Sequence, residues 1–156
     1  MNTTNKEIIP KVRVHALDYE GRGVARIDGK AVFIEGALPG EEVSCRITRS
    51  KKHFDEAETV AVLLASDQRV DPRCPHFSTC GGCVLQHARH DAQVAYKQRV
   101  LEEQLQRIGK VMPEQILPPI YGQPWGYRQR ARLAVAEDDA GHLYAGFKAR
   151  KSNRGV

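Results

Sequence analysis

Between Val12 and Leu64 the chain is a succession of short alternating segments cut by glycine turns, and this pattern constrains the fold more than any other feature. Val12-Arg13-Val14-His15-Ala16-Leu17 alternates apolar and polar with period two, the signature of a strand with one buried face. The turn Asp18-Tyr19-Glu20-Gly21-Arg22-Gly23 leads to Val24-Ala25-Arg26-Ile27, and Asp28-Gly29 is a tight-hairpin signal. Ala31-Val32-Phe33-Ile34 follows, then a Gly36-Ala37-Leu38-Pro39-Gly40 turn, Glu42-Val43-Ser44-Cys45-Arg46-Ile47, and Val60-Ala61-Val62-Leu63-Leu64. Five short strands in about 55 residues cannot bury the apolar face of a flat sheet. Rolling into a small OB-like barrel solves the problem.

Beyond residue 66 the composition changes. Residues 67–90 are turn-formers around Cys74-Pro75-His76-Phe77-Ser78-Thr79-Cys80-Gly81-Gly82-Cys83, with too little apolar content to fold without a staple. No secretory signal supports a disulfide reading of this Cys-x5-Cys-x2-Cys spacing. Two thiolates flanking two glycines suit a metal or cluster, because glycine lets backbone N–H groups approach sulfur. Cys74, Cys80 and Cys83 are therefore the candidate metal ligands, while Cys45 falls on a strand and reads as a core residue. From Asp91 the period becomes helical, with Val94, Leu101, Leu105 and Ile108 on one stripe, Asp91 as N-cap and Gly109 as the stop. A proline-rich linker precedes Tyr127-Arg128-Gln129-Arg130-Ala131-Arg132-Leu133-Ala134-Val135, which reads as one strand of a hairpin. Its return strand is Leu143-Tyr144-Ala145-Gly146-Phe147-Lys148, across an acidic turn at Glu137-Asp138-Asp139-Ala140-Gly141. Period two would set Arg128, Arg130 and Arg132 on one face, either for an anionic partner or as a solvated strand face.

Charge and motif content narrow the function. The 156 residues carry a net charge of +5, of which residues 121–156 hold +4 while residues 1–70 are balanced. That leans toward a polyanion. No stretch is apolar enough to span a membrane, so the chain is expected to be soluble, cytoplasmic and monomeric. Glycine-rich nucleotide loops, a nucleophile elbow and a His-Glu-x-x-His zinc motif are all absent from the sequence. The chain also stops soon after the second strand of the hairpin, as the first part of a larger protein would.

Three segments together resemble a known family. They are Gly21-Arg22-Gly23-Val24-Ala25-Arg26 with Val32 through Glu41; Cys74-Pro75-His76-Phe77 through Cys80-Gly81-Gly82-Cys83 to Leu85-Gln86-His87; and Trp125 through Leu133 with Gly146-Phe147-Lys148 and Lys151-Ser152. In this order they resemble bacterial RNA (uracil-5-)-methyltransferases that carry an N-terminal TRAM domain and a [4Fe–4S] cluster, in the variant acting on large-subunit ribosomal RNA. The resemblance implies a TRAM barrel over residues 1–66, an iron–sulfur loop and helix over 67–119, and the start of an incomplete, β-rich RNA-binding domain over 120–156. It implies S-adenosylmethionine-dependent C5-methylation of a uridine, with three cluster ligands in Cys74, Cys80 and Cys83. The fourth cysteine and the catalytic domain would lie beyond Val156, leaving residues 1–156 inactive alone.

In such an enzyme the flanking RNA must be gripped while the target base leaves its stack. Arg49, Lys51, Lys52, His53 and Phe54 form a basic run ending in an aromatic ring, suited to phosphate contact and stacking. Arg128, Arg130 and Arg132 form a second candidate surface, and Lys148, Arg150 and Lys151 a third. Trp125 is expected to pack under the hairpin. Two other readings stand beside this one. A zinc module could add His76, His87 or His90 to the three cysteines, and a stand-alone TRAM module would bind RNA without any enzyme. Radical S-adenosylmethionine methylthiotransferases pair a cluster with TRAM, but with Cys-x3-Cys-x2-Cys spacing and TRAM at the opposite end.

Overall fold

A computed structural model describes residues 7–137, 140–152 and 154–156. The fold is mainly β with one helix, and six strands make a mixed N-terminal sheet: β1 (Ile8–Arg13), β2 (Ala16–Leu17), β3 (Gly23–Ile27), β4 (Lys30–Glu35), β5 (Glu42–Ser50) and β6 (Phe54–Leu64). The order is β1-β5-β6-β4-β3-β2, antiparallel except for the parallel β4–β6 pair. The strands at the two ends of the sheet, β1 and β2, are separated by only Val14 and His15. Val14 N–H donates to Glu41 O at 2.9 Å and His15 N–H to Val24 O at 3.0 Å, so this one segment bonds to both ends and rolls the sheet shut. The expected first strand, Val12–Leu17, is thus split in two, which makes six strands of the expected five. A single straight strand cannot pair with β5 and β3 at once.

Alternation delivers the core as the sequence suggested. Val12, Val14, Ala25, Val32, Ile34, Ala37, Val43, Cys45 and Ala57 are all buried, and the small residues among them suit the narrow interior of a small barrel. Asp28 and Gly29, at φ 48° and 81°, make the tight turn between β3 and β4. Bulges in the β5–β6 ladder, near Val43, Cys45 and Ile47, bend that long hairpin around the core.

The next segment returns to the barrel before the helix begins. Arg69 and Ala88 form an isolated antiparallel bridge, and Val70 N–H donates to His87 O at 3.0 Å. Helix α1 (His90–Gln104) ends in a wider π-turn over Leu105–Gly109. It starts at an Arg89 cap, and Asp91 lies in its first turn, where its carboxylate binds Arg89 and complements the helix dipole. Lys110, at φ 53°, is the left-handed residue that ends the turn, one position after the expected Gly109. The expected apolar stripe stays largely uncovered, with Leu101 52% and Ile108 78% exposed. Ala92 is instead the buried helix residue. None of the described helices is long and apolar enough to cross a membrane.

Residues 111–133 have no regular structure and are exposed. A two-stranded hairpin follows, β7 (Ala134–Glu137) with β8 (Leu143–Gly146). It begins later than the sequence suggested, so Arg128, Arg130 and Arg132 precede the strand and do not lie on it. Asp138 and Asp139 of the expected acidic turn lie outside the described residues.

Candidate functional site

The cysteine loop is folded by its own backbone and by the end of the chain. Phe77 N–H donates to Cys74 O at 3.1 Å and Cys80 N–H to His76 O at 2.7 Å, closing successive turns. Gln86 Oε1 accepts from Cys74 N–H at 3.2 Å. Gly81 N–H donates to Lys148 O at 2.9 Å, Arg150 N–H donates to Thr79 O at 2.8 Å, and Cys80 bridges Ala149. The segment after β8 is thereby laid along the cysteine turn as a short strand-like strip. Cys74 and Cys80 are half-buried, Cys83 is exposed, and all are free thiols.

The chemistry of this loop fits a sulfur-bound cluster. Gly82 N–H donates to Cys80 Sγ at 3.3 Å, the kind of bond that steadies a ligating sulfur. A Cβ on Gly82 would sit 3.4 Å from that sulfur and 3.7 Å from the Phe147 ring, in ordinary contact with both. Among the described residues no three His, Cys, Asp or Glu side chains converge as they would around a single ion. Neither the three cysteines read as cluster ligands nor the zinc set weighed from the sequence is drawn together among the described residues. Cys45 is fully buried in the barrel, and burial pushes its thiol up to about 11, consistent with a core residue.

Two polar side chains are buried where the loop segment meets the barrel, and Glu41 ties the two together. Glu41 is completely buried. Its carboxylate accepts from Arg69 Nε at 2.5 Å, Arg69 Nη2 at 2.7 Å and Leu38 N–H at 2.8 Å, and from Ser66 N–H at 3.3 Å. Arg69 also donates to Gly36 O at 2.7 Å. A single ion pair therefore fixes the Gly36–Gly40 turn, the end of β6 and the start of the cysteine segment. The Pro39-Gly40-Glu41 ending of that turn was the available signal. His87 is 2% exposed, lies 5.4 Å from the Phe77 ring, and has no partner for either ring nitrogen among the described residues. Burial, with the Arg69 and Arg150 cations nearby, lowers its pKa to about 4.

The basic candidates fall in separate places. Arg49, Lys51, Lys52 and His53 are exposed around the β5–β6 turn, which Lys51 N–H closes on Phe54 O at 2.9 Å. Phe54 is half-buried and packs edge-on against Phe33 at 5.5 Å, so its ring is part of the barrel wall. Arg22 covers that same Phe33 ring at 4.9 Å. Arg128, Arg130 and Arg132 are exposed in the irregular segment, and Lys148 is exposed beside the cysteine turn. Arg150 points its guanidinium into the cysteine loop, and Lys151 pairs with Glu35 at 2.5 Å. Trp125, expected to pack under the hairpin, is 45% exposed with the Arg73 guanidinium over its ring at 5.2 Å.

The rolled sheet, with Gly21-Arg22-Gly23 leading into β3, resembles one known class: residues 10–60 match the family model of the TRAM domain. The wider similarity is to one enzyme. Over 140 residues the chain is 59% identical to the 23S rRNA (uracil(1939)-C(5))-methyltransferase RlmD of Neisseria lactamica, covering 90% of this chain and 31% of that protein. The proteins of the same name from Acidithiobacillus ferrooxidans and Bordetella avium are 53% and 50% identical, each over 143 residues, covering 92% and 91% of this chain and 32% and 30% of theirs. The chain spans about a third of the length of the curated relatives it matches. The resemblance read from the three motif segments is thus borne out.

Proposed function

We propose that these residues grip RNA and hold an iron–sulfur centre for S-adenosylmethionine-dependent C5-methylation of a uridine in large-subunit ribosomal RNA, as a monomer in the cytoplasm. The observation that carries this reading is the identity of 50–59% to methyltransferases of that name, sustained across nine-tenths of the chain. Cys74, Cys80 and Cys83 would be three ligands of a [4Fe–4S] cluster. That group supplies a rigid, charged anchor for fold and RNA, since methyl transfer to uracil C5 moves no net electrons. Exposed Arg49, Lys51, Lys52 and His53 contact phosphates from the barrel, and Arg128, Arg130 and Arg132 do so from the irregular segment. Phe54, held against Phe33, braces the barrel wall behind the first group.

Residues 1–156 by themselves bind RNA without transferring a methyl group. The test is paired: filter binding of a 23S ribosomal RNA fragment, and labelling of the same RNA from methyl-labelled S-adenosylmethionine. Salt-sensitive binding with no label is expected. Label incorporation would overturn the division of labour proposed here, and absence of binding would overturn the RNA reading.

A further inference from the structure

Arg150 is the basic candidate whose guanidinium is engaged with the cysteine turn itself. Nε donates to Cys80 O at 3.2 Å and Nη2 to Cys83 O at 2.6 Å, while the guanidinium lies 4.9 Å from the centre of the Phe77 ring. The main chain reinforces this contact, since Arg150 N–H donates to Thr79 O and Gly81 N–H to Lys148 O. The turn so held is Cys80-Gly81-Gly82-Cys83, whose two glycines give it many conformations to lose. One planar fork spans the carbonyls of both its cysteines, a geometry that arginine supplies and the point charge of lysine does not.

We propose that Arg150 is the positioning residue of the Cys80–Cys83 turn, clamping both cysteine carbonyls so that the two thiols are presented at a fixed spacing. Its relevance to a cluster rests on the reading of Cys74, Cys80 and Cys83 as ligands, but the clamp itself is a property of the protein without metal. It assigns Arg150 to the loop, leaving phosphate contact to the exposed cations.

The experiment compares the full chain with Arg150→Ala and Arg150→Lys. In reduced, metal-free protein, alkylation of each cysteine by N-ethylmaleimide is followed by mass spectrometry. Both variants should raise the rates at Cys80 and Cys83 about fivefold, the factor that matches one ordinary hydrogen bond's net worth. Cys45 should stay unreactive in all three, which reports an intact barrel. Wild-type rates in the lysine variant would show that charge suffices and would overturn the proposal, as would equal rates in all three proteins. Iron and sulfide content after anaerobic reconstitution is the second arm. If wild type takes up a cluster, both variants should hold less of it, and equal loading would count against the clamp. Should wild type take up none, the cluster reading fails and the alkylation rates alone decide the role of Arg150.

Discussion

Glu41 and His87 are the buried polar side chains of the described residues, and acid reaches them in sequence. His87 titrates near 6.5 when exposed and at about 4 in the fold, because burial disfavours its charged form. Between those values the unfolded chain binds the proton and the folded chain does not. Stability is therefore full above about pH 6.5 and falls toward pH 4. Urea denaturation should show a loss on the order of 2 kcal/mol between pH 7 and pH 4.5, and His87→Phe should flatten that limb. A wild-type midpoint unchanged over the interval would mean that His87 is protonated in the fold. Glu41 acts lower. Burial alone would raise its carboxyl, but Arg69 and the Leu38 and Ser66 amides outweigh it and hold the group below its ordinary 4.5. Its contribution is present above that value and disappears as pH falls through the lowered one. Glu41→Gln leaves Arg69 without its charge partner and should cost about 3 kcal/mol at neutral pH, read as a lower urea midpoint. In the sequence Glu41 and His87 stand as members of the family-like segments, His87 also as a possible zinc ligand, and nothing local marks either as buried. Burial of a polar residue is decided by which distant segments meet over it, and that information is not local.

At the scale of elements, strand existence was legible and strand closure was not. Alternation and turn residues marked each barrel segment, down to the left-handed Asp28-Gly29 pair. The break at Val14-His15 follows from one segment having to pair with both β5 and β3. That seam makes Gly23 sensitive: an added Cβ would lie 2.8 Å from Val14 Cγ1 and 3.0 Å from Ala37 Cβ. Gly23→Ala should destabilise by about 1–3 kcal/mol through overpacking, measured by thermal or urea unfolding. Gly29 has open space around its Cβ position but φ of +81°, so Gly29→Ala should cost about 1 kcal/mol by backbone strain, with Gly29→Asn closer to wild type. Equal losses at the two sites would contradict the packing argument for Gly23. The helix shows the converse limit. Its period was readable from Val94 to Ile108, yet Leu101 and Ile108 remain exposed, because spacing specifies a stripe without specifying what covers it. Likewise the alternating arginines at 128, 130 and 132 do not make a strand, since β8 supplies pairing partners only from Ala134 onward.

Over the whole molecule, two of the candidate basic surfaces, the β5–β6 turn and residues 128–132, can be compared by charge, and charge bookkeeping says which should dominate RNA binding. Residues 1–70 are electrically balanced, and the acidic side chains of the barrel answer much of its basic content: Lys30 with Asp55, Arg46 with Glu58, and Arg22 with Asp18 and Glu20. Residues 121–156 carry +4, and Arg128, Arg130 and Arg132 are exposed in a segment without regular structure that can adapt to a phosphate backbone. Each phosphate neutralised contributes roughly 0.7–0.9 to the slope of log K against log salt. Replacing Arg128, Arg130 and Arg132 together by Gln should therefore reduce that slope by about 2 and weaken binding most at low salt. Lys51→Gln with Lys52→Gln should reduce it by about 1.5, and the two effects should add because the sites share no side chain. Filter binding across a salt series measures all three variants. An unchanged slope for the triple arginine variant would return that segment to solvent and leave the β5–β6 turn as the electrostatic contact. A drop smaller than the sum in the combined variant would mean that one RNA segment bridges both sites, so that losing either end releases the other.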